Sequence, residues 1–292
     1  MRTPPRFWER PPGLAAGLLA PLGAGWDTAG RLRRVLARPY RAPVPVVCVG
    51  NLVAGGAGKT PVVLALCRYF AARGIAVHVV TRGYGGSEAG PGRVDPLRDN
   101  TERVGDEALL LAQAAPCWVA RDRAAGVRAA AAAGAALVLL DDGFQNPSIA
   151  KDLAFVVVDA GQGFGNGRVI PAGPLRESLG RGLARADAVI LLAGHGEPPT
   201  AMPADIDRPV VPAIMAPLGG GHLAGERVVA FAGIGRPEKF FATLRGLGAE
   251  IVGERAFPDH CRFRPEDIAP LQDMAHRRRA RLVTTAKDIV RI

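Results

Sequence analysis

Cysteine is sparse in this chain of 292 residues: Cys48, Cys67, Cys117 and Cys261 lie far apart, with no Cys-x-x-Cys pair. That spacing excludes a disulfide scaffold and a structural zinc site, and it implies a reducing, cytosolic compartment. Aromatic residues make up only 5% of the chain and do not interleave with the basic ones, which argues against a nucleic-acid surface. No apolar run reaches the roughly 20 residues that a membrane-spanning helix needs. No clear small-residue cleavage site follows the first apolar stretch, no internal repeat is evident, and the Asn-Lys-x-Asp guanine motif is missing. Lysine is scarce, so arginine carries most of the net charge of +10. That charge implies an anionic partner, although a GC-rich genome would give the same arginine bias. What is plentiful is apolar sequence. At 48% hydrophobic residues the chain can bury a real core, in one large or two ordinary domains.

The most informative stretch runs from Val49-Gly50-Asn51 to Gly58-Lys59-Thr60-Pro61. An apolar strand, Val44–Val49, leads into a turn containing Gly55, Gly56, Ala57 and Gly58, and an apolar helical pattern follows over Thr60–Arg73. Strand, glycine loop, Lys-Thr and helix together wrap a nucleotide triphosphate. The glycines let backbone N–H groups face phosphate oxygens, Lys59 supplies a point charge, and Thr60 supplies a hydroxyl for Mg²⁺. Val53 stands where the phosphate-loop pattern has its first glycine, and Gly55-Gly56 carry the turn instead. A chance lysine in an ordinary strand–helix turn is the plain alternative, and the context on both sides disfavours it.

Further strands are expected at 76–81, 117–120, 136–140, 154–159, 188–192, 210–214, 227–232, 250–256 and 281–285, with helices at 106–115, 121–133, 237–247 and 265–276. Alternating apolar strands and helices predict a mostly parallel sheet covered on both faces, as in P-loop NTPases. Three regions follow: an N-terminal segment 1–40, a nucleotide-binding domain 41–209, and a smaller α/β domain 210–292. Residues 194–209, rich in Pro, Gly and Asp, read as a linker or surface excursion. The N-terminal segment carries Arg2, Arg6 and Arg10, an apolar stretch Leu14–Leu22 broken by Pro21, flanking Trp8 and Trp26, and a basic cluster at Arg31, Arg33, Arg34 and Arg38. It reads either as an interfacial amphipathic helix against anionic lipid or as a helix packed on its own domain.

Other segments carry chemistry. Val138-Leu139-Leu140-Asp141-Asp142 is a strand ending in two acids, a Walker-B arrangement for Mg²⁺, or a plain Asp-Asp-Gly turn. Gly105-Asp106 opens a helix, so Asp106 is either a cap or a base for an attacking hydroxyl. Pro171-Ala172-Gly173-Pro174 is a rigid loop presenting Arg176 to phosphate and Glu177 to orient it. Phe257-Pro258-Asp259-His260 is a turn whose imidazole can pair with a carboxylate. Thr284-Thr285-Ala286-Lys287-Asp288 either places Lys287 near a nucleotide or starts a helix.

Together with Arg82-Gly83-Tyr84-Gly85, Asp142-Gly143-Phe144-Gln145 and Phe231-Ala232-Gly233-Ile234-Gly235-Arg236-Pro237, these segments resemble, in order over nearly the whole chain, the tetraacyldisaccharide 4′-kinase (lipid A 4′-kinase) family. The resemblance implies transfer of the ATP γ-phosphate, with Mg²⁺, to the 4′-hydroxyl of a lipid-linked glucosamine disaccharide 1-phosphate on the cytosolic face of the bacterial inner membrane. It implies Asp106 as general base with His260 as its partner, Asp141 and Asp142 as Walker-B acids, and Asn51, Arg121, Gln145, Arg176 and Glu177 as lining residues. No nucleic-acid partner and no obligate protein partner is evident. The sequence departs from the family at Asn146 (usually His), Ala286 (usually Glu) and Thr81 (often Ser). The chain also stops soon after Lys287, where family members usually continue for some tens of residues, so a closing strand or helix is expected to be missing. The rival reading is a soluble P-loop NTPase that switches or powers a partner, such as a metal-insertion protein. Such a protein needs neither a hydroxyl-activating base nor a membrane-binding end.

Overall fold

The short apolar runs of the central strands are buried along their whole length because the sheet is covered on both faces there, leaving no wet side that would demand alternation. The structure, a computed structural model, describes residues 5–194, 206–218 and 220–292. Arg2, and residues 195–205 of the expected linker, lie outside the described residues. The chain divides into two units, one reaching Ala193 and including the residues up to Ala213, the other built on Ile214–Ile292.

In chain order the first unit contains α1 (Leu14–Leu36), β1 (Val46–Gly50), α2 (Lys59–Ala71), β2 (Val77–Thr81), β3 (Gly92–Arg93), α3 (Thr101–Val104), α4 (Asp106–Ala112), β4 (Cys117–Val119), α5 (Arg123–Ala132), β5 (Leu137–Asp141), β6 (Leu153–Asp159), α6 (Leu179–Leu183), β7 (Ala188–Ala193) and β8 (Val210–Ile214). Its eight-stranded sheet has the order β3-β4-β2-β5-β1-β6-β7-β8. The strand pairs with defined register are parallel except β3 with β4. All five residues of β1, β2 and β5 are buried. The chain leaves β1, builds β2 and β4 on one side, returns through β5, and crosses to β6. β1 and β5 therefore sit side by side at the centre, with Val49 opposite Asp141. In open α/β sheets ligands collect at this carboxyl edge.

The second unit contains β9 (Arg227–Ala232), α7 (Pro237–Gly246), β10 (Glu250–Ala256), α8 (Pro265–Arg277), β11 (Arg281–Val283) and α9 (Ala286–Ile289). Its sheet, β10-β9-β11, is parallel. Successive residues of β9 point to opposite faces. Val228 and Ala230 meet Phe241 and Leu244 of α7, while Val229 and Phe231 meet Ile268 and Leu271 of α8. The strand Val210–Ile214, expected to open this unit, is instead the outer strand of the large sheet, and the division falls at Ile214.

Pro21 does not break the N-terminal helix: α1 runs unbroken for 23 residues. A proline inside a helix removes one N–H bond and crowds the preceding turn. Pro21 lies on the exposed face, and packing on both sides of it holds the helix straight through. Ala16, Gly23 and Asp27 are the buried residues of α1. Gly23 sits so close to the Val169 carbonyl that a Cβ there would meet it at 2.8 Å. The inner face is thus small and polar, the reverse of an ordinary surface helix. The apolar side chains point outward, with Leu14 91% and Leu18 81% exposed and Leu32, Val35 and Leu36 exposed beside them.

Candidate functional site

The loop after β1 is anchored by the buried side chains of Leu52, Val53 and Ala57, and its glycines set the turn. Gly58 caps α2 at φ +82°, a conformation that costs most side chains steric strain, and Gly55 has φ +122°. Lys59 and Thr60 then open α2, whose N-terminus presents unpaired N–H groups and a positive dipole end. The loop is tied down from outside. Ala54 N donates to Pro174 O at 2.8 Å and Arg176 N to Leu52 O at 2.7 Å, so the Pro171–Glu177 loop runs against it. Asn51 is fully buried, and its side-chain nitrogen donates to Gly55 O at 3.3 Å.

Two adjacent acids at the end of β5 behave differently. Asp141, the last strand residue, is 1% exposed and accepts one hydrogen bond, from the Thr81 hydroxyl at 3.2 Å. Its other oxygen, Oδ1, is buried without a partner, as is Asn51 Oδ1. Burial, followed by the charge of Glu107, pushes the Asp141 carboxyl up to about 7. Asp142 turns out of the strand with φ +51°. Its Oδ1 lies 2.9 Å from Arg176 Nη1 and 3.7 Å from Lys59 Nζ. Burial alone would raise this carboxyl, but Lys59 and Arg176 outweigh it and hold it below the usual aspartate range.

The network extends outward. Gln145 donates to Asn51 O at 2.9 Å and to Glu177 at 3.3 Å, and accepts from Arg176 at 3.4 Å. Glu177 is 2% exposed and is clamped between Arg185 at 2.6 Å and Arg34 of α1 at 3.3 Å. Arg185 also lies over the Phe144 ring. Phe144 in turn packs so tightly on Gly50 that no side chain fits at that position. Trp26 donates to Arg176 O at 3.0 Å, and Asp27 accepts from Ser178 N at 3.1 Å and pairs with Arg181. The inner face of α1 is therefore fastened to the loop that carries Arg176. Packing on its own domain, one of the two expectations for this segment, describes that face.

Lys59, Thr60, Asn51, Asp141, Asp142, Gln145, Arg176 and Glu177 thus share one sheet edge with the glycine loop. Arg121 is not drawn into their ion pairs: it is exposed beyond β4, and its guanidinium donates to Ser87 O at 3.3 Å. Asp106 occupies the first turn of α4, 5% exposed, and accepts from Glu107 N at 2.9 Å. His260 belongs to the second unit. It has φ +59° in a turn whose N–H donates to Gly233 O at 3.2 Å. Lys287 lies in the first turn of α9, which Thr285 caps, so this segment starts a helix. Asn146 stabilises its own loop, accepting from Ser148 N at 2.8 Å and from Lys151 at 2.6 Å.

Sequence reasoning missed Arg34, Arg123 and Arg185. Arg123 is 4% exposed at the start of α5, and its Nε is buried without a partner. Its place directly after a strand's carboxyl end was the available signal. Arg34 and Arg185 gave none, because Glu177 is far from Arg34 in sequence and is separated from Arg185 by α6.

A buried carboxylate oxygen with no donor is expensive unless a cation arrives. Asp141→Asn is therefore expected to raise the melting temperature of the nucleotide-free protein by a few degrees while destroying its activity. The sign follows from the raised carboxyl: the unfolded chain ionises near 3.8 and the folded one near 7, so wild-type stability falls as pH rises between those values. The gap between variant and wild type should open over that interval, and melting curves at pH 5 and pH 8 will check it.

A glycine loop running into a helix start, beside two acids at the end of the neighbouring strand, makes this a P-loop nucleotide-binding protein by fold and site. The comparisons narrow that class. The profile of the LpxK family, tetraacyldisaccharide-1-P 4′-kinase, matches residues 15–292. A tetraacyldisaccharide 4′-kinase of Rhodospirillum centenum is 54% identical, covering 99% of this chain and 87% of that protein. One from Methylorubrum extorquens is 54% identical over 99% of this chain and 89% of its own. The crystal structure of LpxK from Aquifex aeolicus in complex with ATP shares 26% identity, with a TM-score of 0.75 over 96% of this chain and 90% of that one. The chain belongs to the tetraacyldisaccharide 4′-kinase family.

Proposed function

We infer that the protein transfers the γ-phosphate of ATP to the 4′-hydroxyl of a tetraacylated glucosamine disaccharide 1-phosphate, a step of lipid A biosynthesis. The observation that carries the reading is the pairing of the Gly58-Lys59-Thr60 helix start with the Asp141–Asp142 strand end, in a chain whose residues 15–292 match this family. Phosphoryl transfer asks a protein chiefly to position reactants and to neutralise charge. Loop N–H groups and Lys59 grip the β- and γ-phosphates, with Arg176 as a second cation. Without nucleotide both cations rest on Asp142, so triphosphate binding exchanges one anion for another rather than desolvating a bare charge.

The residues fit Mg²⁺. The Thr60 hydroxyl and the Walker-B acids would hold it, and the orphaned Asp141 Oδ1 makes Asp141 the better-placed acid. Among the described residues no group of three or more His, Cys, Asp or Glu could cage a metal alone. That suits an ion held by one or two carboxylates together with substrate phosphates. When bound, Mg²⁺ would supply positive charge to offset that of the transferring phosphate. Asp106 accepts the proton of the acceptor hydroxyl, and His260 serves the same step as an N–H donor. Labelled γ-phosphate transfer from ATP to a disaccharide acceptor in detergent tests the reading, and absence of a phosphorylated lipid product would refute it.

The acceptor is acylated, and α1 offers it a membrane to come from. Among the described residues no helix is long and apolar enough to cross a membrane. The outer stripe of Leu14, Leu18, Leu32, Val35 and Leu36, flanked by exposed Arg31 and Arg33, suits a helix lying in the headgroup region. Leu18→Glu with Leu32→Glu is expected to cut partitioning onto anionic vesicles roughly 100-fold, about tenfold per leucine. Its melting temperature should stay unchanged, because both side chains face outward. Undiminished co-sedimentation would make the stripe irrelevant to lipid.

A further inference from the structure

The turn carrying His260 is held from two sides. Its backbone is set by bonds from Phe257 N to Ala232 O at 2.8 Å and from Cys261 N to Pro258 O at 3.0 Å. The Phe257 and Phe263 rings meet edge-on at 5.1 Å, and both pack edge-on against Phe231. A histidine at positive φ is uncommon and persists only where its surroundings over-determine it. What remains to be fixed is the ring.

A buried ion pair reaches it. Asp288 has no exposed side-chain surface and Arg291 only 3%. Asp288 Oδ1 accepts from Arg291 Nη1 at 3.0 Å, and Oδ2 accepts from Gly233 N at 3.1 Å and from the Thr285 hydroxyl at 2.7 Å. Arg291 Nη1 also donates to Gly233 O at 2.8 Å. With the guanidinium plane fixed in this way, Arg291 Nη2 lies 3.4 Å from His260 Nδ1. A guanidinium nitrogen only donates, so Nδ1 must offer its lone pair. In a neutral imidazole the proton then sits on Nε2, the nitrogen 3.8 Å from Asp259 Oδ2.

We propose that Arg291, locked by Asp288, is a positioning residue that fixes His260 in its Nε2–H tautomer. The catalytic consequence rests on the reading of His260 given above. An N–H at Nε2 can hold a reactive carboxylate in place, whereas a lone pair there would repel it. Buried ion pairs are poor stabilisers, often replaceable by apolar residues without loss; this one is placed to orient a ring. The same pair explains the Thr285–Asp288 segment, in which Thr285 caps α9 and Asp288 anchors the arginine.

The test is nitrogen NMR of the imidazole rings in protein labelled at histidine, with His260 assigned by its loss in His260→Gln. On the alkaline plateau of the titration, wild type should show His260 protonated at Nε2 and unprotonated at Nδ1. Arg291→Met should move the ring toward a mixture of tautomers, and Arg291→Lys, which still donates, should restore part of the wild-type signature. Asp288→Asn with Arg291→Met removes both charges together and guards against unfolding by a lone buried one. With ATP and lipid acceptor, Arg291→Met should lower kcat roughly 10- to 100-fold, with KM for ATP changed by less than about twofold. A wild-type ring protonated at Nδ1 overturns the proposal, as does a tautomer indifferent to Arg291→Met. Because the spectra need no substrate, a protein that fails to phosphorylate lipid yet shows these shifts would refute the kinase reading and leave the positioning role standing.

Discussion

Lys59→Ala is expected to lower phosphoryl transfer by at least about 10³-fold. Removing a single neutral donor from a charge-stabilising site costs on the order of 10²–10³ in kcat, and Lys59 carries a full charge in a largely buried position, its side chain 12% exposed. No neighbour can replace it. Arg176 is held on Asp142 at 2.9 Å and on Gln145 at 3.4 Å. Arg at position 59 would keep the charge but widen the head group in a loop shaped for a compact ammonium, so Lys59→Arg should rescue little. Transfer of labelled phosphate at saturating ATP is the measurement. Turnover within tenfold of wild type would remove the loop from the mechanism. The fold should survive, because Asp142 keeps Arg176 as its partner.

Asp106→Asn is the second large effect, with kcat expected to fall about 10²- to 10³-fold while ATP still binds. The substitution isolates chemistry from structure. Asparagine keeps an oxygen to accept from Glu107 N, now 2.9 Å from the carboxylate, and keeps the volume of a residue only 5% exposed. What it loses is the ability to take a proton from the sugar hydroxyl. Nucleotide affinity followed by titration should change little, since Asp106 is not among the loop residues. An unchanged kcat would clear Asp106 of the base role, and a lost ATP site would mean it had been structural.

Much of this was legible because the elements obey simple rules. β9 and β10 begin and end where apolar pattern and turn residues put them, and β1, β2 and β5 shift by no more than two residues. The glycine loop and the two acids were readable because nucleotide chemistry needs those residue types at strand ends. Short elements were not readable. Gly92–Arg93 is a two-residue antiparallel edge and Leu179–Leu183 a single helical turn, too brief for any period to show. Pro21 misled because local propensity favours a break, and tertiary contacts at Ala16, Gly23 and Asp27 override it. The division of labour between Asp141 and Asp142 was also hidden. It arises from one backbone angle, the positive φ of Asp142, which sends neighbouring carboxylates in different directions. The rival reading as a soluble switch or metal-insertion NTPase falls away with the family match over residues 15–292.

The inside-out pattern of α1 has a consequence for the proposed contact with lipid. Many peripheral anchors are unfolded coils in water and pay an ordering penalty when they land on lipid. Here Trp26, Asp27 and Arg34 already clasp the Arg176 loop, so the greasy ridge exists as a finished helix before any contact. If the ridge meets lipid as proposed, circular dichroism is expected to stay unchanged on vesicle binding.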